Sequence, residues 1–399
     1  MIDRRSLLLS PLAAAILPRK TYAAQLASLH GEIYRQLGIR PLINAAGTYT
    51  TLTGSLLVPQ AREAMHEASK YFVPLVDLQQ AAGARIAKLV GVPAAMVTSG
   101  GAGSILLATA ACVTGKDPEK IRRIPDTNGM KDEVIMVRQH RMGFDHACRT
   151  VGVRIVEVET ADELKRAITP KTAMLFWVNI SEPKGKITAK EFLAAGKSAG
   201  VPVFNDAAAE LPPADNLTTL VKQGFDLVGF SGGKALRGPQ ASGLLLGRSD
   251  LIEAAHMNNN PYSDTIARTA KVGKEEIMGL LAAVEVHVKR DHSADQKLWQ
   301  SMMQNIARDL DRVRTVTAEV YVPAYPGAHP VPYLRVKWDA SALRLGYQDC
   351  AKQLRDGEPR IEVNASGEEI TIASYLLNPG EERIVGWRLA EVLGNAAHR

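Results

Sequence analysis

The chain has 399 residues, enough for two domains or for one large domain with an appendage. Its hydrophobic content of 46% is that of an ordinary globular protein and speaks against long disordered tracts. The formal charge of +6 falls to +3 once Asp3, Arg4, Arg5, Arg19 and Lys20 are set aside; that diffuse surplus lacks the block of like charge a nucleic-acid arm would show.

Taken in chain order, Asp3-Arg-Arg-Ser-Leu-Leu-Leu9 sets paired arginines before an apolar stretch that runs to about Pro18, and Thr21-Tyr-Ala-Ala24 offers small residues to a signal peptidase. Residues 1–24 therefore read as a signal peptide of twin-arginine type, although an ordinary secretory signal also fits. The expected location is periplasmic or secreted, with a cytoplasmic protein as the alternative. No later run of about 18 apolar residues follows, so the mature chain is expected to be soluble, with no membrane partner.

Residues 25–59 read as an N-terminal arm that opens with an amphipathic helix, Leu26 to Leu37. Residues 60–290 alternate short apolar, β-branched runs with helical periodicity, the mark of a wound α/β domain. Strands are predicted at Ala95–Val97, Glu133–Val137, Arg154–Val158, Ala173–Val178, Val201–Asn205, Leu227–Phe230 and Gly243–Leu246. Helices are predicted at Ser104–Val113, Ala161–Ala167 and Ala189–Ala199. Strands that are apolar throughout imply a mostly parallel sheet covered on both faces. A long helical stretch from Glu275 to Trp299 leads into a smaller α+β domain, residues 291–399. Its strands are expected at Thr317–Val322, Tyr333–Trp338, Ile361–Val363 and Glu369–Ala373, with helices near Tyr347–Arg355 and from Pro379.

Four strand ends carry chemistry. In Val97-Thr-Ser-Gly-Gly-Ala-Gly-Ser104 a strand gives way to a helix whose first-turn amides lack internal partners. Ser99, Gly100, Gly101 and Ala102 thus form a candidate phosphate cradle, with glycines that let an anion approach the backbone. Next, Val137-Arg-Gln-His-Arg-Met-Gly-Phe144 offers His140, and Phe144 as second choice, as a flat group to stack on a cofactor ring. Asp206 ends the apolar run from Val201, where a buried carboxylate needs a partner such as a pyridinium N–H, or else caps a helix over Ala207–Glu210. Finally, Val228-Gly-Phe-Ser-Gly-Gly-Lys-Ala-Leu-Arg-Gly-Pro-Gln240 places Lys234 among glycines and apolar runs, an unusual setting for a solvated amine. An amine and a carboxylate so placed are what a pyridoxal 5'-phosphate enzyme must supply: the lysine forms a Schiff base and the aspartate keeps the ring nitrogen protonated. Ser231 is positioned to bond the cofactor phosphate as well. Cys112, Cys148 and Cys350 are odd in number and widely spaced, and read as buried, inert thiols.

Phosphate loop, ring stacker, aspartate and lysine in that order fit the aspartate-aminotransferase-like arrangement, fold type I. From about Gly38 to Glu382 the chain resembles the selenocysteine synthase-like pyridoxal phosphate family, which includes D-glucosaminate-6-phosphate ammonia-lyases. The resemblance rests on Ile43-Asn-Ala-Ala-Gly47, Val97-Thr-Ser-Gly-Gly101, Asp206-Ala-Ala-Ala-Glu210, Ser231-Gly-Gly-Lys-Ala-Leu-Arg-Gly-Pro-Gln240 and Val272-Gly-Lys-Glu-Glu-Ile-Met-Gly279. It implies Lys234 as the cofactor-bearing residue and Gly238–Gln240 as a loop near the cofactor, in a homodimer or higher homo-oligomer. It also implies α,β-elimination from an amino acid or amino sugar acid, with selenium transferase-like β-replacement, aminotransfer and racemisation as alternatives. The chain departs from true selenium transferases in having about 15 residues between signal and catalytic domain, so transfer RNA is not expected as a partner. Arg141, Arg237 and Arg268 are the cationic candidates for a substrate carboxylate.

Overall fold

The computed structural model describes residues 31–397. The expected signal peptide lies outside them, as does most of the helix placed at Leu26 to Leu37; within the described part a helix spans Glu32–Arg35. Among the described residues thirteen strands follow in chain order: β1 Leu42–Asn44, β2 Ala94–Ser99, β3 Glu133–Val137, β4 Arg154–Val158, β5 Thr172–Val178, β6 Val203–Asp206, β7 Leu227–Ser231, β8 Ser242–Gly247, β9 Thr317–Tyr321, β10 Tyr333–Lys337, β11 Arg360–Glu362, β12 Asn364–Ser366 and β13 Glu369–Ala373.

One compact unit comprises residues 48–292 and 323–330. It is built on a seven-stranded sheet of order β2-β8-β7-β6-β5-β3-β4. All neighbours are parallel except β8, which runs antiparallel to both β2 and β7. Alternation along the strands explains why both faces are buried. Val97, Ile135, Leu175 and Trp177 join one apolar cluster, in which Ile86 and Leu280 cover the sheet. Met96, Val134, Met136, Met174 and Phe176 point the other way, into a cluster with Ile105 and Leu107. The helices begin where local chemistry directs them. Thr188 accepts from the Glu191 amide at 3.3 Å while Glu191 accepts from the Thr188 amide at 2.8 Å, a reciprocal cap that starts Ala189–Ala199.

The second unit comprises residues 31–47, 293–322 and 331–397 among those described. It holds an antiparallel sheet of order β12-β13-β10-β9 and a separate parallel pair, β1 with β11. Met303, Ile306, Leu334, Ile372 and Leu389 form part of its core.

These boundaries differ from the expected ones in three places. Residues 31–47 belong with the smaller unit rather than to a free arm, because β1 pairs with β11 and Asn364 Nδ2 donates to the Ala46 carbonyl at 2.7 Å. Residues 48–59 belong with the large unit, where Ser55 Oγ donates to the Lys234 carbonyl at 2.6 Å. Residues 323–330 also join the large unit, anchored by Tyr325. The long helical stretch is two helices, Lys274–Lys289 and His292–Leu310. Arg290 is extended between them (ψ 140°), and His292 Nε2 donates to the His287 carbonyl at 3.0 Å.

Candidate active site

The candidate residues converge at the carboxyl ends of the parallel strands, where open α/β sheets bind ligands. β2 ends at Ser99, and Gly100, the first residue of the helix Gly100–Thr114, takes a left-handed φ of 67°. The Ser99 side chain makes no cap bond, and the first-turn amides of a 15-residue helix are left for an anion. A Cβ on Gly101 would lie 3.1 Å from the Ala208 Cβ and 3.7 Å from the Ser231 Cβ. Phosphate loop, aspartate turn and lysine strand are therefore in mutual contact, with the exposed Ala102 at the rim.

Asp206 is the last residue of β6 and is 7% exposed. Its Oδ1 accepts from the Ala208 amide at 3.0 Å, the one hydrogen bond to this carboxylate among the described residues. Burial pushes its pKa up, and the Ala208 amide and the charge of Lys234 pull it back. The alternative, a cap on a helix over Ala207–Glu210, is not what forms: Ala208 closes a turn on Asp206 and no helix follows before Leu211-Pro-Pro213.

Lys234 lies on the loop after β7. Gly232 donates to the Ser242 carbonyl (2.9 Å), Gly238 to the Gly232 carbonyl (2.9 Å) and Arg237 to the Lys234 carbonyl (2.9 Å). A Cβ on Gly232 would sit 2.1 Å from Ser242 Oγ, so this close approach requires glycine. Burial pushes the Lys234 amine below the usual lysine range, while the charges of Asp206 and Glu210 oppose that shift.

His140 behaves differently from its expected stacking role. It is 0% exposed, its Nδ1 accepts from the Val178 amide at 3.3 Å, and its ring meets Trp177 edge-on at 4.3 Å. With no open ring face, it serves the core, and burial pushes its pKa down to about 4. Phe144 is 59% exposed. Arg141 is engaged by Asp145 at 2.6 Å and by Glu157, and Arg237 donates to the Leu56 carbonyl at 3.0 Å. Arg268 is exposed.

Sequence reasoning missed Glu210, Tyr325 and His329. Glu210 is 3% exposed and sits close enough to Lys234 to influence its charge. His329 is pushed down to about 4 by burial, bonds the Pro212 backbone, and feels the charge of Lys234. Since Pro212 has no N–H, the ring must be the donor. Tyr325 and His329 are more than 90 residues from Lys234 in the chain and carry no local motif.

The profile of the L-seryl-tRNA selenium transferase family (SelA) matches residues 42–321. The chain belongs to that family. It is 31% identical over 382 residues to the D-glucosaminate-6-phosphate ammonia lyase of Salmonella typhimurium, covering 92% of this chain and 99% of that one. It is also 31% identical to the 5'-C-glycyluridine monooxygenase-decarboxylase of a Streptomyces species (91% and 92% covered), and 25% identical to the L-seryl-tRNA(Sec) selenium transferase of Moorella thermoacetica (94% and 87%). A solved D-glucosaminate-6-phosphate ammonia-lyase superposes with a TM-score of 0.81 at 30% identity, covering 92% of this chain and all of that one. Serine palmitoyltransferase from S. paucimobilis with bound PLP shares the fold at a TM-score of 0.54 and 14% identity, covering 90% and 88%.

This member of the SelA family is accordingly a fold type I enzyme, a lyase or transferase dependent on pyridoxal 5'-phosphate. Its residues fit that cofactor. A desolvated amine faces a buried carboxylate with one hydrogen bond to spare for a ring N–H, and a helix start with an uncommitted serine lies against the same turn.

Proposed function

We propose that this chain is a lyase of the ammonia-releasing type, which removes the α-proton from an amino acid or amino sugar acid and expels a β-substituent. The observation that carries this reading is the desolvated Lys234 amine opposite the buried Asp206, supported by near full-length similarity to an ammonia lyase. Pyridoxal phosphate, when bound, withdraws electrons from the carbon that bears the substrate amine. Lys234 supplies the anchoring amine and, once freed by the substrate's own amine, takes the α-proton. Burial shifts it toward the neutral form that such a base requires, against the opposing charges of Asp206 and Glu210. Asp206 holds a proton on the ring nitrogen, and Ser99, Gly100, Gly101, Ala102 and Ser231 hold the phosphate.

Replacement, racemisation and transamination share the proton abstraction, and β-replacement draws support from the family's selenium transferases. A homodimer or higher oligomer is part of the proposal, supported by the exposed apolar segment Tyr71-Phe-Val73, whose Phe72 is fully exposed. Export to the periplasm through residues 1–24, and independence from transfer RNA, rest on the sequence alone.

The test is to load the protein with pyridoxal phosphate and screen D- and L-hydroxy amino acids and amino sugar acids for ammonia. At least one should release ammonia, and Lys234→Ala should abolish it. Keto-acid dependence would point to aminotransfer, and loss of optical activity without product to racemisation. Either result without ammonia refutes the elimination.

A further inference from the structure

The direction in which a side chain leaves the backbone is set by the two peptide units that flank its Cα. At Lys234 one residue from outside the loop holds both units. The Ser55 amide donates to the Gly233 carbonyl at 2.9 Å, which pins the unit before Lys234. The Ser55 hydroxyl donates to the Lys234 carbonyl at 2.6 Å, with the Gly233 carbonyl as a second acceptor at 3.0 Å, and so pins the unit after it. The Arg237 amide also donates to the Lys234 carbonyl, at 2.9 Å, but Arg237 belongs to the same loop and turns with it.

Ser55 reaches this place on a strap, residues 49–58, that lies along the lysine loop. Gln240 Nε2 donates to the Thr50 carbonyl at 3.1 Å, Arg237 Nε to the Leu56 carbonyl at 3.0 Å, and the Val58 amide to the Arg237 carbonyl at 3.0 Å. These bonds hold the strap whether or not residue 55 carries a hydroxyl. The strap is strained. Thr53 has φ 66° and ψ 20°, a left-handed conformation that a β-branched residue seldom adopts. Gly54 follows at φ 69°, and a Cβ there would lie 2.4 Å from the Gly233 carbonyl oxygen. Two consecutive left-handed residues thus bring the Ser55 amide and hydroxyl onto the loop. Among the described residues four non-glycine residues have positive φ, and two of them, Thr53 and Arg237, face each other's segments here. Strain of this kind persists where surrounding bonds enforce it, and it gathers at functional sites.

We propose that Ser55 is a positioning residue for the reaction, which fixes the backbone of Lys234 and so aims its amine at the cofactor aldehyde. Its hydroxyl acts on the loop and not on the cofactor phosphate, which the cradle at Ser99–Ala102 holds. The inference rests on the reading of Lys234 as the cofactor-bearing residue.

The test separates aim from affinity with two probes. Cofactor-free wild type, Ser55→Ala, Ser55→Cys and Ser55→Thr are titrated by fluorescence with 4'-deoxypyridoxine 5'-phosphate, which keeps the ring and phosphate but lacks the aldehyde. Each is also mixed with pyridoxal phosphate, quenched with borohydride at timed intervals, and the modified Lys234 peptide is quantified by mass spectrometry. Ser55→Ala should bind the aldehyde-free probe as wild type does, yet be fixed at Lys234 about tenfold or more slowly, because a misdirected group loses orientation and not affinity. Ser55→Thr keeps the hydroxyl and should restore the rate, while Ser55→Cys, a weaker donor, should fall between. An unchanged rate of fixation in Ser55→Ala overturns the proposal. So does an equal loss for both probes, which would mark Ser55 as a support of the whole pocket. Should Ser55→Ala not fold, Ser55→Cys decides by the same two criteria. Wild type that binds the aldehyde-free probe but is never fixed at Lys234 refutes the lysine reading itself, whereas normal fixation in every variant removes the role of Ser55 alone.

Discussion

Substitution of Gly243 by alanine tests how the sheet shapes the phosphate cradle. An added Cβ would lie 2.1 Å from the Gly100 carbonyl oxygen, 2.3 Å from its carbon and 2.5 Å from Thr98 Oγ1. Contacts below 3.0 Å are not tolerated, so about 0.9 Å must be found. β8 cannot retreat, because Gly243 is paired with Thr98 on one side and with Ser231 on the other. The shift therefore falls on Ser99 to Gly101. Overpacking of this kind costs ~1–3 kcal/mol. A cradle displaced by that much should also bind the cofactor phosphate at least tenfold more weakly, about 1.4 kcal/mol. Urea unfolding of the cofactor-free protein and fluorimetric titration with pyridoxal phosphate measure the two effects. Gly394→Ala is the control: its Cβ meets nothing within 4 Å inside the helix Glu381–Ala397, so it should gain ~0.5–1 kcal/mol and leave affinity alone. Wild-type affinity together with wild-type stability in Gly243→Ala would refute this account of the cradle.

Three further outcomes are expected. Asp206→Asn should slow exchange of the substrate α-proton with deuterated solvent by ~100-fold or more, with no loss of thermal stability, since a desolvated charge is removed; undiminished exchange by NMR would separate Asp206 from the chemistry. His140 has a folded-state pKa near 4 against an ordinary 6.5, so the unfolded chain binds the extra proton first as pH falls. Its contribution is present above pH 6.5 and is lost towards pH 4, at most about 3 kcal/mol, and His140→Phe should flatten the pH dependence of the urea midpoint in that window. Cys112, Cys148 and Cys350 are each pushed up to about 12 by burial, so an aromatic disulfide reagent should titrate none in the native protein and all three in denaturant.

Much of the fold was legible because its strands are short, apolar and bounded by turn residues: β3, β4 and β13 match their expected limits to the residue. β1 and β12, three residues each, offer too short a pattern for periodicity to register. The insertion of β8 between β2 and β7 is decided by pairing across more than 100 residues, which no local signal encodes. At the site, Asp206 ends β6, the Ser99–Ala102 loop leaves β2 and Lys234 follows β7 by three residues, so each lies beside an apolar run that the sequence displays. His140 also follows a strand, β3, but Trp177 and Gly185 enclose it from distant segments. Glu210 looked like a helix residue until Leu211-Pro-Pro213 was seen to prevent the helix, and Tyr325 arrives on a segment whose neighbours in the chain belong to the other unit.

Because the first strand of the large sheet, β2, pairs with the last, β8, the vitamin-holding pocket cannot exist on a nascent polypeptide until residue 247 has left the ribosome. A product truncated before Ser242 would keep the aspartate, the lysine and the glycine loop and still fail to hold the vitamin. Cofactor loading thus doubles as a check that synthesis has run through the last strand of the large sheet.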